Sequence, residues 1–155
     1  MNRLKAGDKA PDFVLPDQAG QNVSLQDFKG KNLLIYFYPK AMTPGCTTQA
    51  QGLRDSLAEL QGHNTQVLGV SPDAVKRLPK FIEKHSLTFS LLSDEDHALA
   101  DEFGVWGPKK FMGKEYDGIH RISFLIDQHG VITKVFDKFK TKDHHIVVLD
   151  FLRSL

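Results

Sequence analysis

The sequence predicts an α/β sandwich, a mixed central β-sheet with helices packed on it, and three observations carry that prediction. Short apolar runs at residues 33–38 and 66–71 read as buried strands, segments of helical periodicity alternate with them, and a hairpin-like pair lies toward each end. Residues 12–15 and 22–25 flank the turn-rich Asp17, Gln18, Ala19 and Gly20 and form an N-terminal hairpin. The run 33–38 is continuously apolar, as a strand buried on both faces requires, and Pro39 ends it because proline cannot continue a central strand.

Cys46, Ala50, Leu53, Leu57 and Leu60 then recur at intervals of four and three, which places them on one face of a helix. A second buried strand follows at 66–71, then a helix within 74–85 in which Pro79 either occupies the first turn or kinks it. Residues 89–92 read as a strand and 96–103 as a short helix closed by Gly104. Segment 105–118 shows neither period, so it is expected to be a loop carrying Trp106, Phe111, Met112 and Tyr116. Strands at 119–127 and 131–137 surround Gln128, His129 and Gly130, a hairpin with glycine at its turn, and 144–152 has apolar residues at helical spacing. This order is that of a thioredoxin-like three-layer sandwich, expected to form a single domain over residues 1–155 with the N-terminal β-hairpin as an extension.

The totals narrow the function classes. At 155 residues and 41% apolar composition the chain suits one compact core. Twenty basic against nineteen acidic residues give a net charge of +1 with the signs interspersed, which offers no attraction for nucleic acid or an anionic membrane. No apolar stretch approaches the roughly 20 residues that span a bilayer, and the first residues lack the apolar centre of a secretory signal, so a cytoplasmic location is expected. One cysteine excludes an internal disulfide and suits a reducing compartment. His144 with His145, and Asp94, Glu95, Asp96 with His97, sit at helix starts where capping is common and lack metal-site spacing; no metal is expected.

Cys46 is the candidate centre. A cysteine on the apolar face of a helix is commonly an inert small hydrophobe. Its neighbours argue otherwise: Thr43 is a natural N-cap and Pro44 a natural first helical residue, which puts Cys46 at the third helical position, beside unpaired backbone N–H groups and the positive end of the helix dipole. Such a position favours a thiolate, the nucleophilic form. Thr43 can serve as a plain N-cap or offer its hydroxyl one turn before the sulfur. In residues 119–126, alternation puts Ile122, Phe124 and Ile126 on one face and Arg121 on the other. Arg121 is then an ion-pair member, a solvated edge residue, or a charged fork that reaches Cys46 and stabilises its anion.

Pro39, Thr43 and Cys46 in the spacing Pro-x-x-x-Thr-x-x-Cys, followed by Arg121, resemble the peroxiredoxin active site. Longer stretches at 37–47, 92–97, 103–107 and 116–127 are similar to the bacterioferritin comigratory protein, or PrxQ, branch, and the resemblance runs from about Leu4 to Leu152. It implies the peroxiredoxin form of the thioredoxin fold and reduction of hydrogen peroxide and organic hydroperoxides without metal or organic cofactor. By that resemblance Cys46 is the peroxidatic cysteine, which becomes a sulfenic acid; Thr43 and the backbone near Gly45 and Cys46 hold the peroxide; Arg121 stabilises the thiolate and transition state; and Pro39 shields the sulfur from water. A monomer or weak homodimer follows by the same analogy.

One departure matters. Many members of this branch carry a resolving cysteine five residues after the peroxidatic one, where this chain has Gln51; a second position used in some members, near Ala100, is also empty. Five residues turn about 500° around a helix, so the two side chains point roughly 140° apart. The expectation is therefore a one-cysteine cycle resolved by an external thiol such as thioredoxin, glutaredoxin or glutathione. Competing readings stand beside it. Dithiol exchange is excluded because Thr43 occupies the first place of a Cys-x-x-Cys, while monothiol exchange stays open. A cysteine hydrolase needs a histidine aimed at the thiolate. A redox-inactive or chaperone-like binding module on the same fold is the main alternative.

Overall fold

In the computed structural model, which describes residues 2–155, the chain opens on a short antiparallel hairpin of β1 (Val14–Pro16) and β2 (Asn22–Ser24), with Val14 opposite Ser24. Asp17 closes the turn between them by accepting the N–H groups of Ala19 at 2.8 Å and Gln21 at 3.0 Å. Strand β3 (Asn32–Phe37) follows, and its backbone pairing continues one residue past its end, where the Tyr38 N–H donates to the Val70 carbonyl at 3.0 Å.

The single helix expected from the spacing of Cys46 to Leu60 is two helices. α1 (Pro44–Asp55) and α2 (Leu57–Gly62) meet at Ser56, whose φ of −101° and ψ of 1° fall in the bridge region outside regular helix. The apolar spacing runs unbroken across this joint, so periodicity alone conceals it. β4 (Thr65–Ser71) is followed by a 3₁₀ turn at Val75–Arg77 and by α3 (Leu78–His85), whose first turn contains Pro79; the helix does not kink there. β5 (Ser90–Ser93) leads to α4 (Ala98–Phe103), closed by Gly104 at φ +75°.

Segment 105–118 is not the expected loop. β6 (Trp106–Phe111) and β7 (Lys114–Ile119) form an antiparallel hairpin around Met112 and Gly113, both at positive φ, as a two-residue primed turn requires. Most of its residues are exposed, so no apolar alternation marks the strands, and methionine is an uncommon residue at such a turn. The expected strand at 119–127 is correspondingly split. Ile119 ends β7, residues 120–122 cross between sheets, and β8 (Ser123–Ile126) begins the return. The crossing is fixed by the His120 N–H on the Val105 carbonyl at 2.7 Å and the Phe37 N–H on the Ile122 carbonyl at 3.0 Å. β9 (Ile132–Phe136) and α5 (His144–Arg153) complete the chain.

The central sheet has the order β5-β4-β3-β8-β9. β4 is parallel to β3 and β5, while β8 runs antiparallel to β3 and β9. Alternation along β3 divides the core in two: Leu34, Tyr36 and Tyr38 face α1, α3 and α5, whereas Leu33, Ile35 and Phe37 face α4 and the N-terminal segment. Helices on both faces of this mixed sheet make the three-layer thioredoxin-like sandwich.

Candidate active site

Every residue around Cys46 is placed by the start of α1 and the elements that meet it. Thr43 is the N-cap, in extended conformation at φ −82° and ψ 153°, and Pro44 is the first helical residue. The Thr47 N–H reaches the Thr43 carbonyl at 2.9 Å. The Thr43 hydroxyl, however, makes no capping bond; it donates to the Lys40 carbonyl at 2.8 Å, which leaves its oxygen lone pairs free. Met42, at φ +71°, turns the chain into the helix, and Pro39 lies half-buried just beyond β3.

Cys46 is the third helical residue and is 1% exposed. The N–H groups of Gly45 and Cys46 belong to those a helix start leaves without an intrahelical acceptor. Arg121 meets the sulfur from the sheet: its Nη1 lies 3.3 Å from Cys46 Sγ and donates to Gln49 Oε1 at 2.8 Å. A Cβ built on Gly45 would come within 3.4 Å of Arg121 Nη2, so the guanidinium rests against the first turn of the helix. Among the described residues it is the side chain that hydrogen-bonds to the sulfur. Of the readings open to Arg121, the structure shows the one that reaches Cys46, although from the link before β8 rather than from within a strand.

Gln49 was not among the residues singled out from the sequence. It is fully buried, one turn beyond Cys46 on the same face of α1, and its amide oxygen fixes the guanidinium. The available signal was its spacing, since a glutamine three residues from the cysteine shares its face, together with the need of a partly buried arginine for an acceptor.

Beneath the site lies a group of buried polar side chains. The His144 Nε2 and Ser123 Oγ share a hydrogen bond at 2.7 Å, joining the start of α5 to the start of β8. Burial, with smaller contributions from His145 and Arg121, pushes the His144 pKa down to about 3, so the ring is neutral. Burial raises the Tyr36 hydroxyl well above its ordinary range, reinforced by Tyr38 and Cys46 and opposed by Arg121. Among the described residues, Tyr36 Oη, Gln49 Nε2 and His144 Nδ1 are buried with no hydrogen-bond partner. Lys109, at the rim, donates to the Ile119 carbonyl at 2.7 Å; its pKa is lowered by burial and then by Arg121.

The loop carrying Thr43 is anchored by Asp73. Its Oδ2 accepts the Ala41 N–H at 2.7 Å and the Ser71 hydroxyl at 2.8 Å, and its Oδ1 accepts Arg77 Nε at 3.1 Å. The positions that hold resolving cysteines in relatives by resemblance are elsewhere engaged: Gln51 Nε2 lies 3.4 Å from His85 Nδ1, and Ala100 is buried on the opposite face of the sheet from Cys46. Asp94 caps α4 by accepting the N–H groups of Leu99 at 3.0 Å and Ala100 at 2.9 Å. Of the apolar residues expected in a loop, Phe111 and Met112 are the most exposed, at the β6–β7 tip, while Trp106 stacks on His97 with ring centroids 3.8 Å apart. Among the described residues no helix is long and apolar enough to cross a membrane.

A cysteine sulfur at a helix start, faced by a permanent positive charge and backed by the thioredoxin-like sandwich, is the architecture of a thiol peroxidase. Residues 6–135 match the AhpC/TSA family. The peroxiredoxin Bcp of Escherichia coli strain K12 is 62% identical over 154 residues, covering 99% of each chain. Among solved structures, peroxidoxin BcpB from Mycobacterium tuberculosis superposes with a TM-score of 0.87 at 34% identity over 99% of each chain. A cysteine-to-serine variant of PrxQ from Xylella fastidiosa superposes at 0.92 with 31% identity, covering 99% of this chain and 98% of that one. The chain belongs to the AhpC/TSA family, in the Bcp/PrxQ branch of the peroxiredoxins. It is accordingly a peroxidase-type oxidoreductase with a peroxide as substrate and a thiol as reductant.

Proposed function

We propose that the chain runs a one-cysteine cycle on Cys46. The observation that carries it is Arg121 Nη1 at 3.3 Å from the sulfur of the chain's only cysteine. The Cys46 thiolate attacks the distal oxygen of the peroxide and the O–O bond breaks. The sulfur becomes a sulfenic acid, and the departing oxygen takes a proton to leave as water or an alcohol. Thr43 Oγ1, already donating to Lys40, accepts a hydrogen bond from the peroxide O–H, and the N–H groups of Gly45 and Cys46 hold its oxygens. Arg121, held by Gln49, stabilises the negative charge as it moves from sulfur to oxygen, and Pro39 keeps water from the sulfur.

With Gln51 and Ala100 where a second cysteine would stand, an external thiol attacks the sulfenic sulfur and releases water. A second thiol then frees Cys46 and leaves as the disulfide. Hydrogen peroxide and organic hydroperoxides are the substrates. The single domain over residues 1–155 works in the cytoplasm as a monomer or weak homodimer, with thioredoxin, glutaredoxin or glutathione as the candidate class of reductant. Cys46 is also open to overoxidation when peroxide exceeds thiol.

The test mixes reduced protein with one equivalent of hydrogen peroxide in a stopped-flow cell, follows Trp106 fluorescence and identifies the product by intact mass with a sulfenic-acid trap. Rapid stoichiometric sulfenic acid at Cys46, absent in Cys46→Ser, supports the cycle. A thiol reacting no faster than free cysteine rejects it in favour of a binding module.

A further inference from the structure

Resting on that one-cysteine reading, the geometry points to a binding groove for the reductant. We propose that the groove lined by Met42, Lys76, Arg77 and Lys80 takes a low-molecular-weight thiol bearing carboxylates, whose anionic groups seat on the three cations while its sulfur reaches Cys46.

The groove encloses about 480 Å³, within the range of small-molecule sites. Four lining side chains suit a small ligand rather than a protein face, which needs roughly 800 Å² per partner. Lys76 and Lys80 lie one turn apart, and among the described residues neither pairs with a carboxylate. Arg77 spends only its Nε on Asp73, leaving its two terminal nitrogens to the groove. Asp73, the acidic group in contact with this cluster, is buried and already committed to Ala41 and Ser71. The groove is therefore a net positive site on a chain whose overall charge is only +1.

Its position relates it to the chemistry. Met42 is an exposed apolar side chain on a left-handed residue of the loop that opens α1, four residues before Cys46. Four residues span at most roughly 14 Å along the chain, which keeps Met42, and the groove it lines, within that distance of Cys46. The Asp73 carboxylate joins the two, holding the Ala41 N–H on one side and Arg77 on the other. A second cleft of about 420 Å³, with Lys9, Lys29 and Lys31, lies at the far end of the sheet; Asp12 and Asp127 offset its charge, and it is remote from Cys46. A chain without an internal resolving thiol must meet one from outside at every turnover, which gives the groove beside the loop its use.

The experiment preforms the Cys46 sulfenic acid in the full chain and mixes it with reduced glutathione or with its uncharged diester, reading loss of sulfenic acid by stopped flow. The ratio of the two rate constants is compared between the wild type, Lys76→Glu/Lys80→Glu, and the control Lys29→Glu/Lys31→Glu; intrinsic thiol reactivity cancels in that comparison. The site predicts a glutathione-to-diester ratio that falls at least fivefold in the first variant, moves less than twofold in the control, and in the wild type declines with added salt. A ratio unchanged in Lys76→Glu/Lys80→Glu, or lowered equally in the control, overturns the site. So does reduction by thioredoxin that outruns glutathione and ignores the variant. If no thiol reduces the sulfenic acid, the one-cysteine cycle itself fails and the groove with it.

Discussion

On the α4 side of the sheet, Phe37, Phe103 and Phe124 pack ring against ring, with centroids 4.8 to 6.1 Å apart, among aliphatic side chains. On the α1 side, Tyr36, Tyr38, Gln49 and His144 bring polar atoms into the core, and among the described residues Tyr36 Oη, Gln49 Nε2 and His144 Nδ1 have no hydrogen-bond partner. An unsatisfied buried group costs about 1–3 kcal/mol, whereas aromatic packing of the first kind adds about 0.5–1.5 kcal/mol beyond area burial. Both faces pack apolar and aromatic side chains, but the α1 face in addition spends stability on unpaired polar groups in the cluster that contains Cys46.

The largest effect that would break this comparison comes from Phe124→Ala. We expect a loss of about 3–5 kcal/mol, read as a lower urea midpoint at unchanged slope. A loss under about 1 kcal/mol would mean that the aromatic face does not carry the fold. Arg121→Gln tests the other face: sulfenic-acid formation should slow by about 10²–10³-fold while stability moves by no more than about 1 kcal/mol. An equal loss of stability and rate would make Arg121 a structural residue.

His144 sharpens the contrast through pH. Its folded pKa of about 3 lies below the ordinary 6.5, so the proton is bound first by the unfolded chain. Stability from this group is complete above pH 6.5 and declines as pH falls toward 3, by about 2 kcal/mol between pH 7 and pH 5. Urea melts at those two pH values should show the loss in the wild type and a flatter profile in His144→Gln. The smallest effect is Tyr36→Phe, which removes an unpaired hydroxyl and should raise stability by up to about 1 kcal/mol. A destabilisation of that size would mean the hydroxyl is satisfied by bound water.

Much of this was legible in the sequence where pattern and punctuation agreed. The continuous run through β3, the Thr43–Pro44 start of α1, Gly104 closing α4 and the Gly130 turn each carry a local signal that tertiary structure keeps. The β6–β7 hairpin was illegible because its strands are mostly exposed and its turn begins with Met112. The joint at Ser56 was hidden because apolar spacing continues through it. Within the site, the helix-start motif pointed to Cys46, while residue types left Arg121 among three readings and only the resemblance tied it to the sulfur; the Thr43 hydroxyl bonds backward to Lys40 instead of capping, and Gln49 gained its importance only from the guanidinium it meets.

A single thiol, 1% exposed, has a kinetic consequence. A peroxidase with two cysteines can store an oxidising event as a change of shape within itself, at a rate fixed by its own flexibility. This chain has no partner sulfur to close on, so every disulfide it forms is an encounter between molecules and its rate scales with the concentration of the other. On the one-cysteine cycle proposed above, the oxidised lifetime of Cys46 is set by the thiol around it, and the protein keeps time by the supply of its reductant.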